Sequence, residues 1–261
     1  MMWTIVQMTV LGGFQFMKIF ILMVFYAPFL YPMEWFWGNL TVWRFLENRF
    51  NLWGKELMAN LGTRIEILGL ENLPTSGPFL LMANHQSNLD IPLLVTLPRP
   101  VAFVAKKQLF YIPVLTFWMR RLGCVSLDRE DNRKALNRMK DWADHLILRQ
   151  QGLIVFPEGT RTKDPEGKFG VFRRGSLRVS EEHNIPLVPV VLDGTRLLTQ
   201  PAAWRAAPLG RRVVRMKIMP PRHPKPMPAP EAKAFMETLR EDMIKTWEEI
   251  RVTWPVPEQK A

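Results

Sequence analysis

Residues 80–90 read LLMANHQSNLD, an apolar run that stops at Asn84-His85 and is followed by a polar stretch closing on Asp90. A short apolar run bounded by turn residues has the form of a buried strand. A second stretch of the same form, GLIVFPEGTR, occupies residues 152–161. Further runs lie at Arg64–Leu68, Phe79–Met82 (which overlaps the first), Val101–Val104, Leu187–Leu192 and Val213–Ile218. Helical patterns separate them, the clearest from about Asn132 to Arg149, with Leu136, Met139, Ala143, Leu146 and Ile147 on one face. This alternation predicts an α/β fold: a mostly parallel sheet flanked by helices.

Outward toward the N-terminus the composition changes. From Met1 to Met33 the only charge is Lys18, and Ile19–Tyr31 (IFILMVFYAPFLY) is almost wholly apolar. A signal peptide would carry its charge near the start and a small-residue cleavage site after the apolar run, so this segment is expected to be retained. Pro28 and Pro32 punctuate it. Phe36, Leu40, Trp43, Leu46, Phe50, Trp53 and Leu57 then recur every three or four residues as one amphipathic stripe. Five of the ten tryptophans precede residue 54, which favours a bilayer headgroup region over an ordinary core-facing helix. The expectation is a hydrophobic two-helix membrane motif, with spanning and a re-entrant hairpin both open. Toward the C-terminus, six of the eleven residues from Pro220 to Pro230 are proline, a stiff extended linker. A final helix is striped by Met236, Leu239, Met243, Trp247 and Ile250. The parts so divided are residues 1–58, 59–219 and 220–261.

Lysine and arginine number 35 against 24 aspartates and glutamates, a net charge of +11 that attracts anionic partners. Cys124 is the only cysteine, which excludes an intrachain disulfide and a cysteine metal cluster, and it sits in a core-like apolar context. Histidines 85, 145, 183 and 223 include no i, i+4 pair, so no bound metal is expected. The chain has no G-x-S-x-G elbow, P-loop or H-E-x-x-H. The basic residues are dispersed and form no nucleic-acid recognition motif.

His85 and Asp90 would stand about 140° apart on a continuous helix. They meet only if His85 precedes a helix that begins near Ser87 or Asn88, both good N-cap residues. The carboxylate would then fix the imidazole tautomer and leave the second nitrogen as a general base. Spacing alone does not separate this from a capped helix beside a buried histidine. In the second stretch, Gly159 permits a sharp bend and Arg161 offers a planar fork suited to phosphate. A solvated loop would look the same.

Together the two stretches are far more specific. NHQSNLD and FPEGTR resemble the N-H-x-x-x-x-D and F-P-E-G-T-R blocks of the glycerolipid acyltransferases that make phosphatidate from lysophosphatidate. AKKQLFYIPVLTFWMRRLGCVSLDR (105–129) is similar to that family's lysine-to-arginine block, and IPLVPV (185–190) to its proline-bearing strand. The resemblance covers roughly residues 60–200. Gln108 departs from the common glutamate and Thr116 from the usual glycine, which bears on substrate preference.

The resemblance implies His85 as general base and Asp90 as its orienting partner. It also implies that Glu158, Gly159, Thr160 and Arg161 bind the glycerol phosphate, with Lys106 and Arg129 adding charge. The implied reaction carries a fatty acyl chain from acyl-CoA or acyl carrier protein to the sn-2 hydroxyl of lysophosphatidate, without a cofactor. The expected setting is a membrane, the bacterial inner membrane with the site on its cytoplasmic side. Another lysophospholipid acceptor, or an inactive basic protein binding membrane or nucleic acid, are the alternative readings.

Overall fold

The computed structural model describes residues 21, 24–127, 143, 145–164, 167–198 and 212–253. Its strands are β1 (Thr63–Leu68), β2 (Phe79–Ala83), β3 (Val101–Lys106), β4 (Val125–Leu127), β5 (Gly152–Val155), β6 (Leu187–Asp193) and β7 (Arg212–Ile218). They form one sheet in the order β1-β7-β6-β2-β5-β3-β4. The two wholly apolar runs, β2 and β5, are buried along their full length and lie side by side near the middle. Strands covered on both faces need no polar alternation, which is why they read as continuous apolar runs.

The parallel expectation holds for every neighbouring pair but one. β7 lies antiparallel to β6 and parallel to β1, so these two strands run opposite to the other five. An antiparallel neighbour needs no crossover helix. The three-residue β4, paired parallel to β3, has no counterpart among the sequence expectations because it is too short to register as an apolar run.

The helices are α1 (24–37), α2 (Asn39–Asn60), α3 (Asp90–Val95), α4 (Pro113–Arg121), α5 (145–149), α6 (Gly175–His183), α7 (Thr195–Leu198) and α8 (Ala229–Thr253). The expected single stripe from Phe36 to Leu57 is split between α1 and α2 at Gly38, whose φ of 79° only glycine adopts without strain. Pro28 and Pro32, expected to punctuate the chain, lie inside α1. Four residues apart, they open the hydrogen-bond ladder on one face of the helix only. The stripe also changes character along its length. Phe36 and Leu40 are exposed, whereas Trp43, Leu46 and Leu57 are buried against the domain. Among the described residues no helix is long and apolar enough to cross a membrane. The part of the expected Asn132–Arg149 helix before residue 143 lies outside the described residues, as do residues 1–20.

Gly54 lets α2 approach α3 closely: a Cβ there would stand 2.7 Å from the Pro92 carbonyl. The Asn51 side-chain amide donates to the carbonyls of Val95 and Leu97 at 2.7 and 2.8 Å, closing the C-terminal end of α3. Arg121 joins α1 to α4. Its guanidinium lies 3.9 Å from the Phe117 ring centroid and 5.0 Å from that of Tyr31, and pairs with both Glu34 oxygens at 3.1 and 3.2 Å. In the proline-rich stretch Arg222 meets the start of β6, exchanging backbone hydrogen bonds of 2.8 and 2.7 Å with Leu187, while Ala229 and Pro230, expected in the extended linker, already belong to α8. All five striped residues of α8 are buried, and so is Cys124.

Candidate active site

Three adjacent parallel strands, β2, β5 and β3, end on the same edge of the sheet, and the loops leaving them carry the residues singled out above. Crevices beyond the carboxyl ends of such strands are where open α/β sheets bind ligands. Asn84 fixes the first loop, because its side-chain amide and carbonyl exchange hydrogen bonds of 3.0 and 2.7 Å with the backbone of Leu192 in β6. The chain then turns, and His85 Nδ1 comes within 2.7 Å of Asp90 Oδ2. The helix starts later than expected: α3 begins at Asp90, with Leu89 in the N-cap position and no side-chain cap. Ser87 instead opens the turn, its carbonyl accepting from Asp90 N–H and its hydroxyl from Leu89 N–H. Asp90 reaches backward, so its Oδ2 also accepts from the N–H groups of Gln86 and Ser87 at 2.6 and 2.8 Å.

Asp90 is fully buried, and His85 keeps a little exposure. An ionised carboxylate accepts only, so a neutral imidazole facing one would carry its proton on Nδ1 and leave the Nε2 lone pair free. The ring is further held by Phe156, stacked on it with centroids 3.9 Å apart. Sequence alone did not single out Phe156 as a neighbour of the imidazole.

Glu158 ties the second loop to the first. One carboxylate oxygen accepts from His85 N–H at 2.9 Å and the other from Gly170 N–H at 2.8 Å, while Thr162 N–H donates to the His85 carbonyl at 2.8 Å. Burial raises the Glu158 carboxyl above its ordinary value, and the two N–H donors partly offset that. Its role in the structure is to hold backbone. Gly159 has φ 68° and packs beside Arg173, whose Nε would lie 3.4 Å from a Cβ at that position.

Beside Glu158 opens a cleft of about 550 Å³, whose lining includes Thr160, Arg161, Lys163, Lys168, Gly170 and Arg173. Four cations thus face a space whose walls hold two carboxylates, Glu158 and Asp164. Glu158, Thr160 and Arg161 line this cleft, and Gly159 lies outside its lining. Lys106 is exposed at the end of β3, on the same edge but outside the cleft lining. Arg129 lies outside the described residues. Lys168 and Arg173 were not singled out from the sequence. Their signal was a cluster of cations (Lys163, Lys168, Arg173, Arg174) just after FPEGTR.

Residues 64–193 match the acyltransferase family model. The chain belongs to the acyltransferase family. The structure of this family member is similar to the crystal structure of the 1-acyl-sn-glycerophosphate (LPA) acyltransferase PlsC from Thermotoga maritima. The TM-score is 0.76 at 27% identity, covering 95% of this chain and 98% of that one. A 1-acyl-sn-glycerol-3-phosphate acyltransferase from Saccharomyces cerevisiae is 31% identical over 191 residues, 73% of this chain and 62% of the yeast protein. One from Pseudomonas aeruginosa is 29% identical over 160 residues, 61% of this chain and 60% of that protein. The family member therefore spans about three fifths of the length of these two relatives.

Proposed function

We propose that the protein transfers a fatty acyl chain from a thioester donor, acyl-CoA or acyl carrier protein, to the sn-2 hydroxyl of lysophosphatidate. The observation that carries this reading is the His85–Asp90 pair joined through Glu158 to a cationic cleft. A protein serine or cysteine nucleophile is not needed, because the acceptor brings its own hydroxyl. The cleft would anchor the acceptor's phosphate through Arg161 and Arg173, with Lys106 and Arg129 adding charge, and so turn acyl transfer into a positioned reaction.

In this mechanism His85 Nε2 takes the proton of the acceptor hydroxyl as its oxygen attacks the thioester carbonyl. The tetrahedral intermediate collapses with loss of the C–S bond, and the proton passes from His85 to the leaving thiolate. Asp90 holds the tautomer and stabilises the imidazolium formed in between. The names of the relatives support lysophosphatidate as acceptor over other lysolipids.

The same reading assigns residues 1–58 to the membrane, 59–219 to the chemistry and 220–261 to the linker and closing helix. Support for the first comes from the aromatic face left uncovered on α1, where Phe25, Phe29, Trp35 and Phe36 are each more than three-fifths exposed. Such a face fits interfacial insertion, and the net positive charge fits an anionic inner leaflet. Purified protein in detergent, given acyl-CoA and lysophosphatidate, is expected to form phosphatidate, and His85→Ala to lose it by about 10² to 10⁴-fold. Equal rates for the two proteins would remove His85 as the base. Consumption of a different lysolipid in preference would replace the acceptor.

A further inference from the structure

Asp90 has a second oxygen, and it faces a third loop. Oδ2 is occupied by His85 Nδ1 and two backbone N–H groups, whereas Oδ1 accepts from the hydroxyl of Thr195. Thr195 is completely buried. It begins α7, directly after β6 and Gly194, whose φ is +91°. A Cβ at Gly194 would stand 2.6 Å from the Val213 carbonyl, so β7 fixes the path of this turn. Asp193, on the other side of the glycine, accepts from the Trp247 indole N–H at 3.0 Å, which anchors the turn to α8 as well.

We infer that Thr195 is a positioning residue for the reaction, acting through Asp90. Donors confined to Oδ2 would leave the carboxylate free to swing about that oxygen. The Thr195 hydroxyl, held from β7 and α8, supplies the second fixed point. The plane of the carboxylate, and with it the direction of His85 Nδ1–H, is thereby set by a residue 105 positions away in the chain. A charged acceptor makes this hydrogen bond one of the stronger kind. The inference rests on the reading of His85 as the base, but its test does not depend on that reading alone.

The test compares Thr195→Val, Thr195→Ala and Thr195→Ser in the full-length protein. Val and Ala remove the hydroxyl, and Ser restores it without the methyl group. In the first two, kcat should fall about tenfold or more, the amount expected for loss of a hydrogen bond to a charged group. KM for lysophosphatidate should stay within about twofold, and Ser should recover most of the rate. Independently, ¹⁵N-histidine NMR reads the tautomer, with His85 assigned among four histidines from the His85→Ala spectrum. A fixed Nδ1–H tautomer is expected in the parent and in Thr195→Ser, and a mixture in Val or Ala, whichever folds.

Unchanged kcat and an unchanged tautomer without the hydroxyl would overturn the proposal. So would a Ser variant as impaired as Val, because packing of the methyl group would then be the cause. If the parent transferred no acyl group to any lysolipid, the enzymatic reading would fall while the tautomer comparison still decided the role of Thr195.

Discussion

The backbone N–H of His85 donates to the side chain of Glu158 at 2.9 Å, across 73 residues of chain. With the Thr162 N–H donated to the His85 carbonyl at 2.8 Å, this contact makes the two signature loops a single object. The carboxylate in the glutamate-glycine-threonine-arginine turn accepts from two backbone N–H groups, those of His85 and Gly170.

Glu158→Ala should therefore act as a structural lesion first. It strands two N–H groups, on His85 and Gly170, and a stranded buried donor costs about 1–3 kcal/mol. Thermal unfolding should show the loss, and kcat should fall with it because the His85 loop loses its tether.

Asp90→Asn should lower turnover clearly but less than loss of His85, with little change in fold. The Gln86 and Ser87 N–H groups require an acceptor at the Oδ2 position, so the amide oxygen would still receive Nδ1–H, and what is lost is the negative charge that stabilises the imidazolium. Steady-state rates across pH should be low throughout, with no limb at which activity returns.

Arg161→Ala and Arg173→Ala should raise KM for lysophosphatidate while leaving kcat closer to the parent value. With an uncharged monoacylglycerol as acceptor, the difference between parent and variants should disappear. A KM that does not move in either variant would take the phosphate out of this cleft.

Glu47 offers a test by pH. Burial pushes its carboxyl from 4.5 up to about 8, opposed by Arg149 and by a hydrogen bond from the Val101 backbone. Between these two values the folded protein holds a proton that the unfolded chain has released. Stability should then fall as pH rises from about 4.5 to 8, by up to about 1.4 kcal/mol per pH unit. Glu47→Gln keeps an acceptor for the Gln151 side-chain amide, 2.6 Å away, and should flatten that slope in denaturant titrations at several pH values.

Much of this arrangement is legible in the sequence, for physical reasons. β2 and β5 are buried on both faces, so their apolar runs are unbroken, and the residues that follow them are short-range signals. His85 and Asp90 lie five residues apart, close enough for their meeting to be argued from turn geometry. Thr195 is different: its partner is 105 residues away, and nothing near it announces a role. The clue that was there is positional, a hydroxyl just past the end of a strand adjacent to β2. The start of α3 was misplaced because Ser87 and Asn88 resemble N-caps, yet here Ser87 serves the turn before the helix. The break at Gly38 was hidden by an apolar periodicity that continues across it.

The place of β7 has a consequence for how the chain is made. Among the described residues β1, at residues 63–68, pairs only with residues 212–218, and β6 pairs with that same strand on its other side. During synthesis most of the polypeptide must leave the ribosome before β1 can pair or the Gly194 turn can be braced by Val213. Contacts so distant in sequence slow folding and leave strand edges open meanwhile. A nascent chain arrested before residue 212 would carry both signature loops with the sheet unfinished, so competence for chemistry should arrive late and all at once.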